Sequence, residues 1–497
     1  MGEYVVADLQ KAPREIRGLF RVKYFFLICS ECITIWQFTP YLRAIIIKQM
    51  NSIKQPPLAP GAIPILGHLI QFKKNPLKFF HKCSKEMGTI YKIKLLNKEY
   101  VVVNHPDAIR HVLVNNVKNY SRRKSYAFLQ ELLGDGLLTS EGEGWKKQRR
   151  LTQPVFSKEQ LHGLINQMDH SIQDFFDFHW NKNGTIDLEQ SLNILTLQIL
   201  TQSIIYSSDK SYFNSVQFDL HDALTYMTSK RFNALKFLSE LPSKKKRRGK
   251  AAIIRVKSVV KDIIESRAQS QSMKHNDLLE MLMSTKDAET GESLDKKALL
   301  DEVMTMFVAG HDTTAAALTW TIYLLQQNKN VLNVMLEELD SNWNGENITV
   351  ESLSSLGYMK MVIQEAMRLL PPVWAFGRKA KEEDEIMGFE IRKGQSVNIP
   401  IYAIHRHPDF WEKPNEFYPE HFLPDAVKNR DKFAYMPFSL GQHRCIGEYF
   451  ALMEIQMVLM RMYKNFQFEL ASNKPMEYTP LVTLKPKQSI ELNLIRR

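Results

Sequence analysis

From Asp295 to Gln327 the chain carries one unbroken helical pattern, and at 1.5 Å per residue such a helix is about 50 Å long. An element of that length crosses a whole domain, so the rest of the chain has to be arranged around it. Its middle holds Ala309, Gly310, His311, Asp312, Thr313 and Thr314. Gly310 lacks a side chain, and Thr313 and Thr314 are able to bond back to backbone carbonyls, features that open a helix and leave room for a small molecule. Asp312 and Thr313 set a carboxyl beside a hydroxyl, a pair suited to proton relay. The competing reading is an ordinary core helix with two adjacent threonines.

Around this helix the pattern is mostly helical from about residue 155 to 370, with two β regions. Thr89–Val103 reads as a hairpin in which Tyr91, Ile93 and Leu95 alternate with lysines, and Glu385–Ile399 is a second β stretch broken by Gly388 and Gly394. The expected fold is therefore mostly α with a smaller β part. At 497 residues and 44% hydrophobic, the chain buries a substantial core in one large domain or two packed lobes.

The proline-rich run Pro56–Leu69 cannot sustain a helix and separates a segment over residues 1–55 from a main domain over 56–497. Tyr24–Ile47 is long enough to span a bilayer, but Glu31, Gln37, Pro40 and Arg43 interrupt it, so it reads as interfacial or packed on the body. Asp8 and Glu15 argue against a cleavable signal peptide. Four cysteines, Cys29, Cys32, Cys83 and Cys445, are too few and too scattered for a disulfide framework, which favours a reducing compartment. Cys29 and Cys32 have Cys-x-x-Cys spacing but no second pair nearby, and coincidence is the preferred reading. The net charge of +12 favours acidic partners or an anionic surface, and the run Lys244–Arg248 reads as a solvated helix start or loop rather than a nucleic-acid contact.

One further stretch stands out. Phe438 to Gly447, FSLGQHRCIG, sets Cys445 between Gly441 and Gly447, whose conformational freedom lets main-chain N–H groups turn toward the sulfur. Phe450, Met453, Met457 and Met460 then recur at helical spacing, so the cysteine stands just ahead of a helix whose N-terminal dipole favours a thiolate. Alone, this also fits a buried structural cysteine.

With three other segments it does not stay alone. The pattern Phe438, Gly441, Cys445, Gly447 resembles the haem-binding loop of the cytochrome P450 family. AGHDTT at Ala309–Thr314 is similar to that family's oxygen-binding helix, QEAMRLLPP carries its Glu-x-x-Arg as Glu365 and Arg368, and WKKQR matches its Trp-x-x-x-Arg as Trp145 and Arg149. The motifs occur in the family's order, over residues from about 55 to the C-terminus.

The resemblance implies a triangular helical domain built on the long central helix and holding haem b, with Cys445 as the axial iron ligand. It implies Trp145, Arg149, Arg378 and His443 as partners of the haem propionates, with Phe438, Gly441 and Gly447 shaping the loop and Ala309 and Gly310 facing the ring. Asp312 and Thr313 would then be the catalytic pair for dioxygen. His443 stands where the family more often has arginine, and His421, in Pro419–Phe422, replaces the arginine that usually joins the Glu365–Arg368 pair.

The implied activity is a monooxygenase that inserts one atom of dioxygen into a lipophilic substrate, by hydroxylation of a fatty acid or related lipid. Terpenoids and steroids remain open, as do two rival functions: a haem-thiolate isomerase or peroxygenase, and a non-catalytic haem sensor or carrier. No Gly-x-Gly-x-x-Gly fingerprint is present. Electrons are therefore expected from a separate NAD(P)H-driven ferredoxin or flavoprotein reductase. The remaining expectations are a monomer without nucleic-acid partners, cytoplasmic or peripheral on the cytoplasmic face of a membrane. Tyr126–Leu132, Ala223–Leu238, Val373–Phe376 and Tyr478–Thr483 would border the substrate, and Arg122 and Arg123 are read as structural or propionate-binding rather than as grips for a substrate carboxylate.

Overall fold

The long helical pattern forms a single α-helix, Lys296–Gln327, begun by Asp295, whose carboxylate accepts from the Ala298 N–H at 2.7 Å. Most of its residues are buried on every side, as expected of a helix that is apolar all round and lies inside a large domain. The computed structural model describes residues 54–206, 218–227, 243–269, 277–472 and 476–497. The expectations for Tyr24–Ile47, Cys29 and Cys32, and for the part of the substrate wall over 228–238, fall outside the described residues.

In chain order the principal helices are α1 (Pro76–Met87), α2 (Gly142–Thr152), α3 (Ile165–His179), α4 (Leu188–Ile204), α5 (Lys244–Gln269), α6 (Lys296–Gln327), α7 (Lys329–Asn342), α8 (Gly357–Leu369) and α9 (Glu448–Asn465). A further helix covers 218–227. Helices α4, α5, α7, α8 and α9 all pack against α6.

The contact with α4 revises the reading of Gly310. A Cβ there would lie 2.7 Å from Leu200 Cδ2, so the missing side chain serves close helix packing. The α-helix runs through this point without interruption, and the expected local opening does not occur. Lys244–Arg248 begins α5 as the expected solvated helix start, with Arg248 paired to Asp222.

Among the described residues the β part has four sheets. The largest has the order β1-β2-β8-β5-β3, built from β1 (Ile90–Leu95), β2 (Lys98–Val103), β3 (Tyr120–Ser121), β5 (Phe376–Ala380) and β8 (Ser396–Ile399). The predicted hairpin β1–β2 is antiparallel, with Tyr91 and Ile93 fully buried. β2 then runs parallel to β8. The second β stretch contains β6 (Asp384–Ile386), β7 (Phe389–Ile391) and β8, with Gly388 and Gly394 at φ +82° and +78° in the turns. β4 (Gly184–Asp187), β9 (Phe466–Leu470) and β12 (Glu491–Arg496) form a three-stranded sheet, and β10 (Tyr478–Pro480) pairs with β11 (Leu484–Pro486) in a hairpin.

Candidate functional site

Cys445 lies in a loop closed on itself, where its N–H donates to the Phe438 carbonyl at 2.9 Å. Gly441 is needed there: its φ is +74°, and a Cβ would sit 2.3 Å from the Leu113 carbonyl oxygen. Gly447 differs from the expectation. It adopts φ −85° as the N-cap of α9, a conformation open to other residues, and a Cβ would meet only Phe156 at 3.9 Å. Its contribution is its backbone N–H, which faces the sulfur. Burial, followed by the Glu448 carboxylate, holds the Cys445 thiol above its ordinary value, while this N–H together with Arg149 and Arg444 acts in the opposite direction without outweighing them. The side chain retains accessible surface and forms no disulfide. Phe438 packs against the core beside the loop.

A cationic cluster lies next to this loop. Arg378, on β5, is 4% exposed and its Nε has no partner; Arg122 is 6% exposed with Nε likewise unpartnered. His443 has a buried, unpartnered Nδ1 and meets the Trp145 ring edge-on, with centroids 4.2 Å apart. Arg122 lies over the other side of the arrangement, 5.6 Å from the Trp145 centroid. Burial and the guanidinium groups of Arg122, Arg378 and Arg149 push the His443 imidazole down to about 3. His443 is therefore neutral in this setting, and the arginines carry the charge. The nearby Glu141 spends its carboxylate on Ser121 Oγ and on the N–H groups of Arg122 and Arg123.

Buried guanidinium groups with free N–H donors and no carboxylate demand an anion. Two haem propionates meet that demand and the free Cys445 sulfur supplies an iron ligand, so these residues fit the group. Arg149 acts on His443 along with Arg122 and Arg378, and its Nη1 donates to the Arg444 carbonyl at 3.0 Å, tying α2 to the cysteine loop.

Between Asp301 and Tyr323, only Ala309, Gly310, Asp312 and Thr313 of α6 are not buried. Ala309 and Thr313 are one turn apart, and Thr313 Oγ1 donates to the Ala309 carbonyl at 2.6 Å. Thr314 is buried and donates to the Gly310 carbonyl at 2.8 Å. Asp312 does not pair with Thr313 as expected. Its Oδ2 accepts from Thr483 Oγ1 at 2.6 Å and its Oδ1 lies 2.7 Å from Lys485 Nζ. Burial pushes the Asp312 carboxyl up, but Lys485 and its other partners outweigh this and hold it below the usual carboxylate range.

The Glu365–Arg368 pair is fully buried and bidentate, with both N···O distances 2.7 Å. Glu365 also accepts from the Tyr418 N–H at 2.9 Å and contacts His421 Nδ1 at 3.1 Å, so His421 does occupy the arginine's place in this network. Arg368 donates to the carbonyls of His405, Pro414 and Glu416, tying α8 to the segment that precedes the cysteine loop.

Hydrogen bonds also gather the expected substrate-wall segments. Ser125 Oγ bonds the Gly377 carbonyl, Trp374 Nε1 bonds the Leu481 carbonyl at 3.0 Å, and Thr483 bonds Asp312. Val373, Ala375, Leu481 and Val482 are half-buried. Sequence reasoning placed Thr483 at the end of a substrate-wall segment but not as a partner of Asp312, and it missed Lys485 and Glu189 at this site. Asp312, the partner of Thr483 and Lys485, lies some 170 positions away in the chain, and Glu189, the other partner of Lys485, lies farther still, so no local spacing signals these contacts.

A family model described as Cytochrome P450 matches residues 56–494. Cyclooctat-9-en-7-ol 5-monooxygenase of Streptomyces melanosporofaciens is 29% identical over 402 residues, covering 81% of this chain and 87% of its own length. Cytochrome P450 4V2 of Mus musculus is 29% identical over 485 residues, covering 90% and 91%. A bifunctional cytochrome P450/NADPH–P450 reductase of Bacillus cereus is 30% identical over 456 residues, covering 88% of this chain and 42% of its own. Among solved structures, the heme domain of cytochrome P450DA superposes with a TM-score of 0.81 at 25% identity, covering 90% of this chain and 98% of that one.

Proposed function

The chain belongs to the cytochrome P450 family and is a haem-dependent monooxygenase acting on a lipophilic substrate, and from that premise we propose that it hydroxylates a fatty acid or related lipid. The observation that carries this reading is the set of half-buried apolar residues Val373, Ala375, Leu481 and Val482, whose two segments are joined by the Trp374–Leu481 bond and tied to α6 by the Thr483–Asp312 bond. Such a wall suits an apolar ligand and excludes water from the reacting carbon.

Haem b, held through the Cys445 sulfur, would supply a thiolate-ligated iron that activates dioxygen. Arg122, Arg378, Trp145 and His443 would hold the propionates. The Gly447 N–H favours the thiolate form of Cys445. Thr313 keeps a donatable proton on Oγ1, parked on the Ala309 carbonyl, and Asp312 is the adjacent ionisable group. For the electron donor the reading takes a separate reductase or ferredoxin, and the net charge of +12 favours an acidic partner.

The test is a titration of the haem-loaded protein with a panel of fatty acids and terpenoids, following the haem spectrum for water displacement, with product analysis in the presence of a reductase. Fatty acids are expected to displace water and to be hydroxylated. Displacement by terpenoids alone overturns the lipid reading, and product formed only with peroxide overturns the separate electron donor.

A further inference from the structure

Asp312 is held from outside its own helix. Lys485 Nζ bridges Asp312 Oδ1 at 2.7 Å and Glu189 Oε1 at 3.1 Å, and Thr483 Oγ1 donates to the other Asp312 oxygen. Side-chain exposure rises along this chain, from 16% at Asp312 to 24% at Lys485 and 26% at Glu189. Lys485 and Thr483 belong to one hairpin, β10–β11 and its turn, and Glu189 stands in the first turn of α4. The hairpin is also tied to α6 by Trp320 Nε1 on the Leu484 carbonyl and by the Met476 N–H on the Tyr323 hydroxyl. Neither of those ties carries charge, so only the Asp312 tie bears on an acid.

The surroundings define what sets the state of Asp312. On α6, His311 is buried, with Nδ1 on the Phe307 carbonyl; burial pushes its imidazole down, and it acts on Asp312 in the same direction as Lys485, after it. Across from α6 stand Lys485 on the hairpin and Glu189 on α4, while His221, on the helix over 218–227, acts on His311. Lys485 is thus the one cation in direct contact with Asp312 among the described residues, and Thr483 fixes which way the carboxylate faces.

We propose that Lys485 is a positioning residue for the monooxygenase reaction: with Thr483 it holds Asp312 charged and turned toward the β10–β11 hairpin, so that passing a proton to Thr313 requires the Asp312–Lys485 pair to part. Leu481 and Val482, at the hairpin tip, directly precede Thr483 and belong to the proposed substrate wall, so movement of that wall acts on the pair. The inference rests on reading Asp312 and Thr313 as the acid and alcohol of the reaction.

The experiment uses the full-length, haem-loaded protein without turnover. Difference infrared spectroscopy follows the protonated-carboxyl band against pH in wild type, Lys485→Met, Lys485→Arg and Thr483→Val, with Asp312→Asn in each background identifying the Asp312 signal. Removing a cation at this distance while burial remains is expected to move Asp312 upward by about 1–3 pH units in Lys485→Met. Lys485→Arg keeps the charge and is expected to titrate as wild type. An Asp312 that titrates alike in wild type and Lys485→Met overturns the proposal. If Lys485→Met fails to load haem, Lys485→Gln takes its place with the same expectation and the same overturning result.

The pH profile of donor consumption supplies the second readout. Its limb is expected to move with the infrared midpoint in Lys485→Met and to stay in place in Lys485→Arg. A profile that ignores the infrared shift also overturns the proposal. Asp312→Asn with unchanged consumption and product sinks the acid reading itself, an outcome the infrared data alone would not produce.

Discussion

Replacing Glu365 by alanine is the most severe test of what holds the cysteine loop in place. Both members of the Glu365–Arg368 pair are 0% exposed, so the substitution leaves a guanidinium in the interior without its counter-charge. Breaking a buried pair in this way costs about 3–5 kcal/mol. The Tyr418 N–H and His421 Nδ1 lose their acceptor at the same time, and a buried donor left unmade adds about 1–3 kcal/mol. The three carbonyls that accept from Arg368 remain, which places the total toward the lower part of the summed range. Against a typical stability of about 5–15 kcal/mol, such a loss leaves little folded, haem-loaded protein. Glu365→Gln keeps an acceptor for Tyr418 and is expected to fall between. The assay is denaturant unfolding read by the haem band and by far-ultraviolet dichroism, with soluble holoprotein yield alongside. Glu365→Ala unfolding within about 0.5 kcal/mol of wild type, the range of ordinary surface substitutions, refutes the reasoning.

Cys445→Ala is expected to abolish the red-shifted band of the reduced carbon monoxide complex, and a persisting band refutes the ligand assignment. Thr313→Ala removes the hydroxyl that donates to the Ala309 carbonyl and is expected to leave haem content and spectrum unchanged while electrons are diverted to hydrogen peroxide. Measuring donor, peroxide and product together decides this, and tight coupling in the variant removes Thr313 from the mechanism. Glu302, 1% exposed with one oxygen unpartnered, has its carboxyl pushed up to about 7, chiefly by burial. Its raised value means that stability is fully present below pH ~4 and is lost between about pH 4.5 and 7, roughly 3 kcal/mol at 1.36 kcal/mol per unit. Glu302→Gln should therefore gain on wild type across that window and hold a constant advantage above it. A difference independent of pH, measured by denaturant unfolding at several pH values, contradicts the assignment.

What could be read from the chain alone divides along the range of the interactions involved. The helix Lys296–Gln327 was legible because its pattern and its Asp295 cap are local, and the β1–β2 hairpin because alternation over six residues marks a strand with one buried face. Cys445, Gly441 and the Glu365–Arg368 pair were legible through short motifs whose members lie within a few residues of one another. Gly310 was misread because its reason lies in another helix: only the approach of Leu200 shows that the missing Cβ serves packing.

The same holds for the charge state of the site. Asp312 beside Thr313 suggests an acid free to relay protons, yet a lysine and a threonine from a hairpin near the C-terminus hold it as a carboxylate. His443 in place of an arginine suggests a propionate contact that fades as pH rises, yet burial, reinforced by three guanidinium groups, already pushes its imidazole down to about 3. In both cases residue type named the chemistry available and tertiary surroundings set the protonation state in which it is held, because burial and neighbouring charges outweigh a group's intrinsic tendency. The proposed role of Lys485 accordingly puts proton delivery under the contact between α6 and the β10–β11 hairpin as much as under the Asp312–Thr313 sequence.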